Sequence, residues 1–378
     1  MKRFFLLILL ICAALGVPAR AVNLSLASPS AILMEKTSGE VLYAQGEHEQ
    51  HEPASVTKIM TLLLTMEAID SGALSYDDTV TASAHASSMG GSQIWLKDGE
   101  QMSVRDLLKA VCVVSGNDAA VALGEHLAGS EDAFVEKMNR RAAELGMNDT
   151  HFVNCTGLPA EGHLTSAHDI ALMSRELIAK HPDIRQFTTI WMDSLRGGTS
   201  ELVNTNKLIR FYPGATGLKT GSTDSALYCL SATAERDGME LIAVVLKGPT
   251  SNERFEDAKT LLNYGFSSYA LVTVAPEEAL PPISVTLGER ESVQPMLTAE
   301  NTLLLEKAAA SQLTVKTELL PALAAPVFRG DRVGTLTVYG IDGAELAQLP
   351  ILAGEDVGHV TFLQLAKRVW RIGFCGGA

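Results

Sequence analysis

A serine and a lysine stand three residues apart in Pro53-Ala54-Ser55-Val56-Thr57-Lys58, which runs directly into the apolar helical pattern Ile59, Met60, Leu62, Leu63, Leu64 and Met66. Positions three apart on a helix are surface neighbours, so the Ser55 hydroxyl and the Lys58 amine project from one face of a first turn. That pairing suits an activated nucleophile. Free N–H groups at a helix start, aimed at whatever sits over Ser55, favour a developing oxyanion. Taken alone, the same residues also describe a plain helix start with an N-capping serine. What the rest of the chain supplies decides between the two.

Two further motifs follow in order, Ser115-Gly116-Asn117 and Lys219-Thr220-Gly221. Each has a bland reading, the first as a turn between helices and the second as a loop entering a strand. Hydrolysis of an amide, however, needs an activated nucleophile, a proton shuttle and stabilisation of a tetrahedral oxyanion. Ser55 is the candidate nucleophile. Lys58 can act as its base only when neutral, and burial beside a second cation, Lys219, lowers its pKa in that direction. Ser115 and Asn117 would enter the same site from the helix junction.

The surrounding pattern supplies elements to hold these residues. Residues 31–35 and 40–44 flank Lys36-Thr37-Ser38-Gly39 and read as a β-hairpin. The Ser55 helix stops near Gly72, and residues 74–101 read as loops and short strands near the site. Ser103 opens a helix with Asp106 in its first turn, and it ends at Ser115-Gly116-Asn117, with the next helix starting at Asp118. Helices from Ser130 to about Leu145 and from Ser166 to about Lys180 complete a helical middle section. Tyr228 to Arg236 and Met239 to Lys247 then form strands around Asp237-Gly238, and a helix runs from Asn252 to Tyr264, closed by Gly265. Strands from remote segments with helices between them predict one sheet covered by helices, an α+β arrangement.

Composition narrows the class. The chain has 378 residues and a formal net charge of −14. That length predicts two domains, and the acidic balance denies the basic footprint a nucleic-acid partner requires. Residues 1–21 read as a secretory signal: Lys2 and Arg3, an apolar run from Phe4 to Leu15, and Ala19-Arg20-Ala21 as the cleavage site. Cys112, Cys155, Cys229 and Cys375 are isolated and show no metal or redox spacing, and no cofactor is expected. Cys112 and Cys229 read as small apolar residues in packed elements. From about residue 273 to 358, prolines and short β-branched runs predict a small all-β domain. In the final segment, 359–378, Gln364, Lys367, Arg368 and Arg371 share one narrow arc, and Phe362, Leu363, Leu365, Val369, Trp370, Ile372 and Phe374 fill the rest. This is a basic amphipathic helix suited to an anionic membrane surface; docking on its own domain or on a second subunit is the other reading.

The set S-x-x-K, S-x-N and K-T-G is shared by β-lactamases and penicillin-binding proteins. With the flanking text Ser115-Gly116-Asn117-Asp118-Ala119, Asn154-Cys155-Thr156-Gly157-Leu158 and Gly217-Leu218-Lys219-Thr220-Gly221, nearly the whole chain resembles the low-molecular-mass penicillin-binding proteins that are D-alanyl-D-alanine carboxypeptidases. The resemblance implies a penicillin-binding-protein-like catalytic domain over residues 22–272, with an antiparallel sheet, flanking helices and a helical subdomain. It implies that stem peptides of peptidoglycan ending in D-Ala-D-Ala are the substrate and that β-lactams acylate Ser55. In that reading Ser115 relays a proton to the leaving amine, Asn117 holds the substrate amide, and Lys219, Thr220 and Arg254 face the terminal carboxylate. Lys219-Thr220-Gly221 would be the edge strand that receives the peptide. The backbone N–H groups of Ser55 and Ser222 would form the oxyanion hole. Ser222 stands where some members carry histidine, which bears on fine specificity. The exported enzyme would sit at the outer face of the cytoplasmic membrane. The rivals are a β-lactamase and a non-catalytic penicillin-binding sensor. Glu161-Gly162-His163-Leu164-Thr165 superficially resembles the carboxylate loop of one β-lactamase class but lacks its asparagine, so Glu161 is read as a loop charge.

Overall fold

The structure is a computed structural model that describes residues 23–298 and 301–367. Its centre is a five-stranded antiparallel sheet in the spatial order Val41–Gln45, Ser30–Glu35, Met239–Gly248, Leu227–Arg236, Ala215–Thr223. The N-terminal hairpin thus pairs with strands two hundred residues later, as expected of a sheet built from remote segments. Successive side chains of a strand point to opposite faces, and here both faces are covered. Ile32, Met34, Ile242, Val244 and Leu246 pack with the helical section on one side. Ala31, Leu33, Leu241, Ala243 and Val245 pack on the other against Phe255, Leu261, Leu262 and Phe266 of the Ser251–Ser268 helix. That double burial explains why these strands read as unbroken apolar runs.

Helices Lys58–Asp70, Val104–Val113, Asn117–Ala128, Glu131–Glu144 and Ala167–Lys180 form the helical section. The Oγ atoms of Ser103, Ser130 and Ser166 each accept a backbone N–H three residues on, occupying a donor the first helical turn leaves free. The third of these helices begins at Asn117, one residue before the Asp118 start expected. The Asp237-Gly238 turn has φ of 51° and 78°, the left-handed pair that a two-residue hairpin demands.

One sequence expectation is corrected. The last helix of this region does not stop at Gly265 but continues to Ser268. Gly265 is there for closeness: a Cβ at this position would lie 2.5 Å from Leu241 Cδ1 and 2.9 Å from Leu33 Cδ2. A glycine late in a helix resembles a C-cap in sequence, and only the sheet beneath reveals its packing role.

Beyond residue 273 the chain forms short sheets around their own core of Val285, Val293, Val333, Leu336, Ile351 and Val357. The one helix among its described residues before 359 is the four-residue Lys307–Ala310. Residues 362–367 are helical, with Phe362 and Leu363 exposed. Arg368, Trp370 and Arg371 of the amphipathic pattern, Cys375, and the signal segment 1–21 lie outside the described residues. No helix among the described residues is long and apolar enough to cross a membrane.

Candidate active site

Ser55 lies on a single 3-10 turn, Ala54–Thr57, and Lys58 opens the α-helix that continues from it. Ser55 is therefore not a helix cap, since its hydroxyl meets the Lys58 amine instead: Nζ lies 2.9 Å from Oγ. The same Nζ donates to Asn117 Oδ1 at 2.5 Å and to the Thr156 carbonyl at 2.7 Å. Neither of these two partners can donate back. Asn117 Nδ2 is committed to the Gly90 carbonyl at 2.7 Å, which leaves its oxygen toward the lysine. An amine with two hydrogens fixed on Asn117 and Thr156 has its lone pair aimed at Ser55.

Charge state follows from surroundings. Lys58 is fully buried, and that burial, with the neighbouring Lys219 charge acting in the same direction, holds its pKa well below the ordinary lysine value. Lys219 is itself 1 % exposed and donates to the Thr220 carbonyl at 2.9 Å. Burial pushes its pKa down to about 7, with Cys112 opposing and the nearby Arg254 guanidinium adding to the fall. The shift at Lys58 favours the neutral amine that a general base must be.

Ser115 has φ of +63°, in the left-handed region that costs a non-glycine residue strain, and its buried Oγ has no hydrogen-bond partner among the described residues. Thr220 Oγ1 meets Thr205 Oγ1 at 2.7 Å. Gly221 passes directly over the nucleophile turn. A Cβ there would come within 2.9 Å of the Ser55 amide nitrogen and the Pro53 carbonyl, so glycine alone lets the edge strand approach Ser55. Ser222 follows, exposed and paired across the sheet with Tyr228. Arg254 is buried beneath this strand rather than solvated: its guanidinium donates to the Gly221 carbonyl at 2.9 Å and the Cys229 carbonyl at 3.3 Å and packs on the Phe255 and Tyr228 rings.

Several residues that shape the site carry no sequence-level assignment. The turn 154–158 supplies the Thr156 carbonyl, and Gly157, at φ +84°, would place a Cβ 1.8 Å from the Ala54 carbonyl oxygen. His163 fastens the following loop to the nucleophile turn. Its Nδ1 accepts from the Val153 amide at 2.9 Å, so Nε2 carries the hydrogen and donates to Thr57 Oγ1 at 2.8 Å. Burial, aided by His151, pushes His163 down to about 4, which keeps it neutral. Glu161 is exposed on the same loop, while its neighbour His163 turns inward. Asn-x-Thr-Gly is turn chemistry that sequence could flag, but a backbone carbonyl leaves no signature of its own. Cys112, Cys155 and Cys229 are free, buried thiols, all held protonated by desolvation, Cys112 up to about 12 and Cys229 up to about 11. Among the described residues no group of three His, Cys, Asp or Glu side chains could hold a metal ion.

Comparison with known proteins agrees with this geometry. Residues 17–250 match the family model for D-alanyl-D-alanine carboxypeptidase, and residues 273–359 match that of the penicillin-binding protein 5 C-terminal domain. The chain belongs to the D-alanyl-D-alanine carboxypeptidase family. It is 42 % identical to the carboxypeptidase DacF of Bacillus subtilis over 360 residues, covering 93 % of this chain and 92 % of that protein. It is 35 % identical to DacD of Escherichia coli, covering 87 % and 86 %. Penicillin-binding protein 5 from Haemophilus influenzae superposes with a TM-score of 0.78 at 30 % identity, over 89 % of this chain and 99 % of that one. A cefotaxime-bound penicillin-binding protein D2 of Listeria monocytogenes is similar over 65 % of this chain and 99 % of that one, with a TM-score of 0.60 and 36 % identity. The chain is thus a serine peptidase of mixed helix and sheet with a small C-terminal β region, as its motifs implied.

Proposed function

We propose that this enzyme removes the terminal D-alanine from peptidoglycan stem peptides ending in D-Ala-D-Ala through a Ser55 acyl-enzyme, and that β-lactams acylate the same serine. The observation that carries the reading is the Lys58 amine, whose two other partners leave one direction open, toward Ser55 Oγ. Lys58 takes the hydroxyl proton as Ser55 Oγ attacks the penultimate carbonyl. The amide N–H of Ser55, beneath Gly221, and that of Ser222 receive the oxyanion. Ser115 delivers a proton to the departing D-alanine amine, and water then hydrolyses the ester. Thr220 and Lys219 lie where an extended peptide added to the strand would end, and they receive the carboxylate. Arg254 supports that end by gripping the Gly221 carbonyl and adding positive potential. Asn117 acts chiefly by orienting Lys58, and the second hydrogen of its Nδ2 remains for the substrate amide.

The decisive experiment compares turnover of a D-Ala-D-Ala peptide with turnover of penicillin. D-Alanine release with slow penicillin turnover is expected, together with covalent penicillin labelling. Rapid penicillin turnover with negligible peptide cleavage would assign a β-lactamase, and Ser55→Ala that still releases D-alanine would end the mechanism. We further propose that the signal segment exports the enzyme and that the terminal basic helix holds it peripherally on the outer face of the cytoplasmic membrane. Its pattern and the exposed Phe362 and Leu363 support this. Sedimentation with anionic vesicles tests it: a chain truncated before Phe362 should stay in the supernatant, and equal binding would remove the anchor.

A further inference from the structure

The turn that supplies the Thr156 carbonyl is held by side chains that take no part in the steps above. Its three successive amides are all taken by side-chain oxygens. Those of Thr156 and Gly157 are taken by Asn154 Oδ1, at 3.2 and 2.7 Å, which also accepts from Thr156 Oγ1. That of Cys155 is taken from outside the turn by Glu131 Oε1 at 3.0 Å, which also receives the Cys155 thiol at 3.2 Å. Glu131 is the first residue of its helix, and its side chain is only 15 % exposed. Its second oxygen meets His85 Nε2, at the surface, at 2.7 Å. On the opposite side the Cys155 carbonyl accepts from Thr61 Oγ1 at 2.8 Å. With Cys155 held at both its amide and its carbonyl, the next carbonyl accepts from Lys58 Nζ.

We infer that Glu131 is a positioning residue for the general base. It acts through the Cys155 amide on the Thr156 carbonyl, and that carbonyl fixes one hydrogen of Lys58 and so turns the lone pair toward Ser55. Without an acceptor in place of Glu131, a buried amide is left unpaired and the turn must rotate to find one. Lys58 then loses a directional partner, while Lys219, Thr220 and the substrate-binding strand are untouched. The ammonium form loses more from a missing acceptor than the neutral amine does, so the Lys58 pKa falls further. The inference rests on Lys58 as base, and the variants separate the two claims.

The test uses the full chain and three substitutions. Glu131→Ala removes the acceptor, Glu131→Asp keeps the charge but draws it back by one carbon, and Glu131→Gln keeps an oxygen at the same reach. Active molecules are first counted by saturating penicillin labelling, so loss of folded protein does not enter the rates. Glu131→Ala and Glu131→Asp should lower the acylation rate per active molecule about ten-fold. They should lower kcat on a D-Ala-D-Ala peptide similarly with KM unchanged, and move the acid limb of the acylation profile to lower pH. Glu131→Gln should stay within about three-fold of wild type, since the acceptor geometry survives. Normal rates with an unmoved acid limb in Glu131→Asp would overturn the assignment, even if Glu131→Ala does not fold. A Glu131→Gln as slow as Glu131→Ala would overturn it as well. Lys58→Ala acylated at the wild-type rate would instead remove the base, and the role of Glu131 with it.

Discussion

Replacing Lys219 by methionine should make the protein more stable at neutral pH while destroying its activity. Lys219 is 1 % exposed, and its pKa falls from 10.5 to about 7 on folding. A lysine with a lowered folded pKa is protonated more readily in the unfolded chain, so its cost is full at low pH and is relieved as pH rises toward 10.5. At 1.36 kcal/mol per pKa unit, the two titration curves give a cost of about 4 kcal/mol at pH 7 and about 2 kcal/mol at pH 9. Methionine fills a similar volume but abandons the bond to the Thr220 carbonyl, which takes back roughly 1–2 kcal/mol at every pH. The variant should therefore lead by about 2–3 kcal/mol at pH 7 and by little at pH 9. For a domain of this size each kcal/mol moves Tm by about 2–4 °C. Calorimetry of both proteins at pH 7, 8 and 9, following the transition that penicillin labelling shifts, measures the gap. A gap that does not shrink as pH rises, or a variant less stable than wild type at pH 7, refutes the claim that Lys219 is stored at a cost for function.

Three other substitutions report on neighbouring parts of the site and its support. His163→Gln keeps one donor and one acceptor but no titration. Because folding lowers His163 from 6.5 to about 4, wild type loses about 3 kcal/mol between pH 6.5 and pH 4 that the variant retains, measurable as a flatter urea midpoint against pH. Gly157→Ala pushes a methyl into the Ala54 carbonyl at a backbone angle alanine resists, and about 100-fold slower acylation is expected, since displacing a nucleophile by about 1 Å costs that much. Acylation at the wild-type rate would show that the nucleophile turn is not braced there. Gly265→Ala should cost about 1–2 kcal/mol of stability by overpacking Leu241 and Leu33, with acylation per active molecule unchanged because the contact lies on the sheet face away from Ser55. A denaturant midpoint equal to that of wild type would refute the packing role.

What sequence could and could not show divides by the kind of group involved. Ser55, Lys58, Ser115, Asn117, Lys219 and Thr220 were legible because side-chain type and spacing carry their chemistry, and the structure brings Ser55, Lys58 and Asn117 into direct contact. The sheet was legible because unbroken apolar runs and the Asp-Gly turn are local signals. The Thr156 carbonyl and the reach of Glu131 were not, since every residue has a carbonyl and Glu131 reads as an ordinary first-turn acid that a helix dipole would welcome. Arg254 was named as a ligand for a free carboxylate, and sequence could not show that its guanidinium also donates to the Gly221 carbonyl of the edge strand and the Cys229 carbonyl of the strand beside it. Gly265 misled because its meaning lies in Leu241 and Leu33, which are distant in sequence and meet it only in the fold.

The protonation of Lys58 also bears on the part proposed for Ser115. Before acylation, Ser55 O–H, Asn117 and Thr156 use all three directions of a neutral amine, and the count closes. Once Lys58 has taken the serine proton it carries three hydrogens, while Ser55 Oγ is becoming an ester oxygen and a poorer acceptor. Asn117 and Thr156 still hold two of the three. The third needs a new acceptor, and a buried ammonium with an idle hydrogen is costly. On the proposed mechanism that acceptor is Ser115, two residues before Asn117, whose buried Oγ has no partner among the described residues. It can accept that hydrogen while donating its own to the departing amine, which restores the neutral lysine without a free proton entering the site.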